Sequence, residues 1–313
     1  MNILVTGGYG FIGSNFINYI AKNESVKRIV NVDCVTYAAN KNNLIENKKI
    51  INYQWDINET EQIKTLLKDF NITHIVHFAA ESHVDNSIKS PNSFIKTNIN
   101  GTFSLLEAAR DYGKLERFHH VSTDEVYGSL GAIGYFKENT PYDPRSPYSA
   151  SKAASDHLVN AYHHTYGLNT TISNCSNNYG PNQHIEKLIP KIITNLYNDK
   201  KIPIYGSGAN IRDWLYVDDH CEAIWLILNK GKNGETYNVG GDTEKSNLSI
   251  AKTLCNLMEK NPDQYIEYVE DRKGHDFRYA IDFCKINNEL NWLPKTNFID
   301  GLKKTIDFYI KRN

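Results

Sequence analysis

The chain has 313 residues, 40% hydrophobic and 23% charged, enough for one large domain or two unequal ones around a sizeable core. Its 35 Lys and Arg against 36 Asp and Glu give a formal charge of −1, so no net field attracts nucleic acid or an anionic membrane, and an anionic ligand must be met by local groups. No apolar run approaches the ~20 residues that cross a bilayer, the strand-like Ile3-Leu4-Val5 without a basic n-region and apolar h-region predicts no secretion signal, and five dispersed cysteines without a CxxC pair predict reduced, buried thiols in a cytoplasmic protein.

Residues 2–6 predict a short buried strand, and Gly7, Gly10 and Gly13 lead into a helix reaching about Ile20. Further strands are predicted over 28–33, 50–55, 74–79, 118–122 and 170–174, with helices over 59–70, 98–112 and 147–166 between them. Pro144 and Pro147 mark the start of the last helix. This alternation implies an α/β fold, a doubly wound parallel sheet of Rossmann type with right-handed crossovers. After Gly180-Pro181 the pattern loosens into helices around 187–199, 217–229 and 247–260, with strand-like pieces at 202–205 and 235–239. The expected organisation is a Rossmann domain over 1–180 and a smaller, mainly substrate-binding region over 181–313, some of whose segments return to the main sheet.

Gly7, Gly10 and Gly13 form G-x-x-G-x-x-G between a strand and a helix. That spacing suits a tight turn, close approach of the backbone to a pyrophosphate and close helix–sheet packing, with free helix N–H groups facing the anion. Asp33 ends the second strand 20 residues later, placed for the ribose hydroxyls, and its carboxylate would repel a 2′-phosphate. The cofactor expected is therefore NAD rather than NADP. Asp56-Ile57 could flank the adenine, and Phe78, Ala79, Ala80 and Ser82 offer a small-residue crossing at the fourth strand end.

Tyr148 and Lys152 lie one helical turn apart and share a face. An ammonium there lowers the phenol's pKa and can hold the nicotinamide ribose, making a tyrosinate base available near neutral pH. Asp124 and Glu125 follow Thr123 at a predicted strand end, where a turning chain can aim both carboxyls into one pocket. Two such carboxyls separate their pKa values, one remaining an acid while the other serves as a base. Arg212 and Arg278 are candidate diphosphate clamps, since a planar guanidinium fork suits phosphate oxygens; the alternative for each is a structural ion pair. The 11 histidines form no HxxxH or HExxH array, and no metal site is expected.

The segments 6–13, 36–37, 79–85, 122–128, 148–152, 175–181, 186–190, 210–214 and 274–276 together resemble the nucleotide-sugar 4,6-dehydratases of the extended short-chain dehydrogenase/reductase superfamily, those acting on dTDP-glucose above all. The Thr123-Asp124-Glu125 triplet separates this resemblance from the related epimerases, which usually lack the Asp–Glu pair. The resemblance implies that Tyr148 takes the sugar 4-OH proton, Glu125 the C5 proton, and that Asp124 protonates the departing 6-hydroxyl, with Thr123 near O4. It also implies that Phe11, Ile12, Asp33, Thr36, Asp56, Ile57, Thr97 and Asn178 line the NAD site. Ser82, Asn177, Lys187, Leu188, Arg212, Asn247, Arg272 and His275 would contact a nucleotide-diphosphate hexose, with Pro203 and Tyr205 against the base. UDP-glucose and UDP-N-acetylglucosamine are alternative substrates, a 4-epimerase is the neighbouring reaction, and a silent NAD-binding module is the non-enzymatic alternative. A homodimer is implied. Three positions depart from the family pattern: Asn86, Asn174 and Phe277 stand where arginine is usual.

Overall fold

A computed structural model describes residues 1–271 and 274–312. Its main sheet holds β1 (Asn2–Thr6), β2 (Arg28–Val32), β3 (Ile50–Tyr53), β4 (His74–His77), β5 (Arg117–Thr123), β6 (Thr170–Cys175) and β10 (Thr236–Val239). The spatial order is β10-β6-β5-β4-β1-β2-β3, and every neighbouring pair is parallel. The order reverses between β4 and β1, and at such a switch point the carboxyl ends of the strands open a crevice.

Both faces of the sheet are covered, and its central strands are buried on both sides even where they carry polar residues, as β5 and β6 do. On one side the helix Phe11–Ile20 brings Phe16, Ile17 and Ile20, and the helix Val217–Lys230 brings Val217, Ile224 and Leu228, onto Ile3, Val5 and Val76. On the other, Ile63, Leu66, Leu105, Leu106 and Val159 of three helices pack over Leu4, Val30, Ile75, Phe118 and Ile172.

The remaining strands lie outside that sheet. β7 (Asn177–Tyr179), β9 (Ile211–Tyr216) and β11 (Glu244–Ser246) form one small sheet, while β8 (Ile202–Tyr205) pairs with β12 (Ile266–Val269). The helices Leu188–Tyr197, Asn247–Leu257 and Phe298–Arg312 close a second core around Ile189, Ile193, Leu254 and Leu302. The prediction had neither β9 nor the last helix. It also had one regular helix over 98–112, whereas a π-helical segment, Ile95–Asn100, precedes the α-helix Gly101–Tyr112.

All five cysteines are free, but only Cys175, Cys221 and Cys255 are buried; Cys34 and Cys284 are exposed, correcting the expectation of uniform burial. No described helix is long and apolar enough to cross a membrane. Among the described residues, no group of three or more His, Cys, Asp and Glu could hold a metal ion.

Candidate active site

The first strand ends in a turn that requires glycine. Gly7 has φ +72°, and a Cβ on it would lie 2.7 Å from the Ala79 backbone nitrogen. A Cβ on Gly13 would lie 2.3 Å from the Gly7 carbonyl oxygen, so the helix can approach β1 this closely only with glycine there. Gly10 caps that helix, leaving its first N–H groups directed at the crevice. At the end of β2 the Asp33 carboxylate accepts from the Tyr9 and Val35 backbone nitrogens at 2.9 and 2.8 Å. Burial pushes its pKa upward while those two bonds oppose the shift.

These groups line one cavity at the strand ends. It includes Gly7, Gly10, Phe11, Ile12, Gly13, Asp33, Thr36, Asp56, Ile57, Phe78, Ala79, Ala80, Ser82, Thr97, Asn177, Asn178 and Lys187. Thr123, Asp124, Glu125, Tyr148 and Lys152 line its other end. Among the described lining residues the only Lys or Arg side chains are Lys152 and Lys187, neither of them in the Gly7–Asp33 segments that would hold the adenosine half. A dinucleotide fits this donor set: a glycine turn and helix N-terminus for pyrophosphate, and a carboxylate for ribose hydroxyls.

Tyr148 and Lys152 are presented by a helix with strong end signals. Ser146 and Ser149 form a reciprocal capping box, Pro147 occupies the first turn, and Gly167 closes the far end at φ +68°. Both side chains are buried. The Lys152 ammonium donates to the Val121 carbonyl at 2.9 Å and lies 3.3 Å from His120 Nε2. Burial lowers the lysine's pKa to about 8, with Asp156 opposing the shift. Burial and then Glu125 raise the Tyr148 phenol well above its ordinary value. Positive charge is therefore needed beside it before it can serve as a base.

The carboxyl pair sits where β5 breaks into the 3-10 turn Asp124–Tyr127. The Thr123 hydroxyl caps that turn, accepting from the Glu125 backbone nitrogen at 3.3 Å and lying 3.4 Å from Asp124 Oδ1. Asp124 is fully buried, and its Oδ2 has no hydrogen-bond partner. Burial, followed by Glu125 and Asp213, raises its pKa far above the carboxylate range, while Arg212 pulls the other way. Of two adjacent carboxyls it is the one whose buried surroundings favour keeping its proton, the split expected for acid–base division of labour.

The remaining predicted residues form a second group outside the cavity lining. Arg212, buried and stacked 4.1 Å over the Tyr279 ring, donates to the carbonyls of Ile211, Asp276 and Phe277. Asn247 donates its backbone N–H to Asn210, whose side chain reaches the Asp276 carbonyl. Tyr205 meets His275 edge-on at 6.4 Å between ring centroids, and His275 bonds Asp271 at 2.7 Å. Pro203 lies on β8 with Tyr205, and Leu188 starts the helix Leu188–Tyr197. Arg272 lies outside the described residues.

Arg278 is not a diphosphate clamp. Its buried guanidinium forms a two-pronged ion pair with Glu244 at 2.5 and 2.7 Å and donates to the Gly134 carbonyl at 3.0 Å, so its fork is already occupied by the fold. Of the three departures, Asn86 donates to the Tyr37 hydroxyl, and Phe277 is half-exposed with its backbone nitrogen on Ser129. Asn174 is fully buried within β6 and donates to Tyr127 and Tyr142. It thus belongs to the layer behind Lys152, away from the mouth.

Two contributors escaped the sequence reading. Asn98, in the π-helical segment, accepts from the Glu81 backbone nitrogen and donates to the Glu81 carbonyl and Ser151, tying the β4 loop to the catalytic helix. Its signal was a polar residue on an otherwise apolar helix face. Glu186 accepts from the Tyr37 hydroxyl at 3.0 Å across the mouth, and only its place beside Lys187 hinted at that.

A family model described as GDP-mannose 4,6 dehydratase matches residues 4–305. The chain belongs to this family. Within reach of the dehydratase family, the dTDP-glucose 4,6-dehydratase of Xanthomonas campestris pv. campestris (strain B100) is 50% identical over 98% of this chain and 92% of that protein. The crystal structure of DesIV, a dTDP-glucose 4,6-dehydratase from Streptomyces venezuelae with NAD and TYD bound, superposes with a TM-score of 0.95 at 43% identity, over 99% of this chain and 97% of that one. A UDP-glucose 4-epimerase from Thermotoga maritima with UDP-glucose superposes with a TM-score of 0.93 at 29% identity, over 100% and 99%. The dehydratase family and the epimerase therefore share the fold, and the reaction has to be argued from the site.

Proposed function

We propose that the protein is a dTDP-glucose 4,6-dehydratase that works with NAD and makes a 4-keto-6-deoxy sugar. The observation that carries the reading is the Asp124–Glu125 pair: a buried carboxyl, with its pKa raised by that burial, and a second carboxyl share the turn at the end of β5, in the cavity that also holds Tyr148. Half-identical curated relatives over the whole chain support the same reaction.

When bound, NAD supplies a hydride acceptor at C4 and a donor at C6, so the overall conversion is redox-neutral. Tyr148 accepts the 4-OH proton, assisted by the Lys152 ammonium. The resulting ketone acidifies C5, Glu125 removes that proton, and Asp124 gives its proton to the departing 6-hydroxyl, which leaves as water. Thr123, which holds the turn, also stands at the cavity to orient O4. In this reading the second group, Arg212, Asn247, Tyr205, Pro203 and His275, would meet the diphosphate and base. Exposed Ile88, Ile95 and Phe103 on neighbouring helices of the main domain support a homodimer, which sedimentation tests.

A panel of dTDP-glucose, UDP-glucose and UDP-N-acetylglucosamine with product masses tests the proposal. Loss of one water from dTDP-glucose, and slower loss from the others, is the expected result. An unchanged mass with a galactose-configured product would instead establish epimerisation, and no turnover would leave a binding module.

A further inference from the structure

Behind the catalytic lysine, away from the cavity, lies a carboxylate that the proposed reaction does not use. Asp156 stands one helical turn beyond Lys152 and is fully buried. One of its oxygens, Oδ2, accepts from the hydroxyls of Ser122 and Tyr142, each at 2.9 Å. The other, Oδ1, has no hydrogen-bond partner and lies 3.3 Å from His120 Nε2. That same nitrogen is 3.3 Å from the Lys152 ammonium. His120 Nδ1 is buried without a partner, so the ring meets its polar surroundings through Nε2. A neutral imidazole nitrogen can accept from Lys152 or donate to Asp156, but not both.

A buried ammonium is costly unless a counter-charge accompanies it. Here the imidazole is neutral, since burial and then Lys152 hold its pKa well below normal. The negative charge beside that shared nitrogen is Asp156. We propose that Asp156 is a positioning residue for proton transfer at Tyr148: beside the His120 nitrogen that both groups approach, it supplies the counter-charge that keeps the Lys152 side chain in place and charged. This rests on the reading that Lys152 assists Tyr148.

The titratable neighbours divide between the partners. His77 on β4 and Cys175 on β6 interact with Lys152, while Tyr142, Tyr127 and His157 interact with Asp156. Asp156 itself is pushed up to about 6 by burial, with Lys152 as the largest opposing influence. The two groups thus support each other's charged form between the Asp156 and Lys152 titrations. Above the lysine's value the ammonium is lost, and activity should fall with it.

The test follows Lys152 directly, by the Cε resonance of 13C-labelled lysine in the full-length protein, assigned through Lys152→Arg. In the unaltered chain the resonance should show its main titration and a second inflection near pH 6, where Asp156 titrates. Asp156→Asn should remove that inflection and move the main titration to lower pH. The alkaline limb of dehydration should then fall earlier, by about tenfold in rate at a fixed alkaline pH. Tyr142→Phe keeps the carboxyl and should leave the alkaline limb near its original position. Absence of the second inflection in the unaltered chain overturns the proposal even if Asp156→Asn fails to fold. An unmoved Lys152 titration in a folded Asp156→Asn, or equal loss of rate at every pH, overturns it as well. If the lysine titration moves as expected but no nucleotide sugar is dehydrated, the pairing stands and the functional reading falls.

Discussion

The dinucleotide end of the cavity and the group of residues beyond its lining are built in opposite ways. The dinucleotide end is assembled from the ends of four adjacent parallel strands, β4, β1, β2 and β3, so each contributor sits at a fixed register position in the sheet. The group proposed to meet the nucleotide sugar is assembled from β8, β9, the start of the helix Asn247–Leu257 and the chain near 275, held together by contacts such as Arg212 with the Asp276 carbonyl. Regular architecture carries the shared chemistry, and irregular connections carry what differs between related enzymes.

The largest effect should come from the turn that joins the two sides. Glu125→Gln is expected to cost about 10²–10⁴-fold in dehydration with the fold intact, and to abolish deuterium uptake at C5 from heavy water. Full turnover in that variant would separate the carboxyl pair from the chemistry. Next is Arg278→Ala, which breaks the ion pair with Glu244. Because Glu244 is only partly buried, a loss of about 3 kcal/mol in urea unfolding is expected, at the low end for a broken buried pair. A loss of substrate affinity without a loss of stability would restore Arg278 as a ligand contact and blur the line between scaffold and site.

Asp124→Asn tests the turn's electrostatics. Asp124's folded pKa is raised, so the fold binds its proton more tightly than the unfolded chain does. Its stabilising contribution is complete below the unfolded value near 3.8 and is lost as pH rises toward the folded value. The asparagine variant escapes that loss. Its melting temperature should exceed that of the unaltered protein by a margin that grows from acid toward alkaline pH, while its dehydration rate collapses. The smallest effect is expected at the mouth, where Tyr37→Phe removes one hydrogen bond to Glu186. Cofactor release, followed by stopped-flow fluorescence, should quicken by up to about tenfold, the worth of one such bond.

The same contrast decides what the sequence made legible. Gly7, Gly10, Gly13 and Asp33 could be read because local geometry dictates them: a positive φ, a helix approach that excludes a Cβ and a strand end. Tyr148 and Lys152 could be read because four residues make one helical turn. The paired carboxyls could be located, but only the fold shows that Asp124 is sealed from water and Glu125 lies beside it. Arg212 and Arg278 looked alike in sequence, and tertiary contacts alone distinguish them. One stacks on Tyr279 near Asp124, while the other braces Glu244. The strand β9 went unread because Asn210-Ile211-Arg212-Asp213 lacks clean alternation, and Asp213 is buried only because the Gly241 and Thr243 backbone nitrogens meet its carboxylate.

Strand β5 carries obligations on both of its faces. His120 and Ser122 point to the helix Pro147–Tyr166, where they meet Lys152 and Asp156. His119 bonds Thr171 and Ser173 on the opposite face, where Val121 packs with the helices Phe11–Ile20 and Val217–Lys230. A central strand can usually exchange one apolar residue for another of similar size. This one cannot do so at His119, His120 or Ser122, whose side chains all carry polar contacts, and it then hands the chain to the Thr123 turn. In a survey of all single substitutions, residues 119–125 should therefore stand out as the longest unbroken run in which almost nothing is tolerated, and a one-residue insertion there should be harder to accommodate than one anywhere else in the sheet.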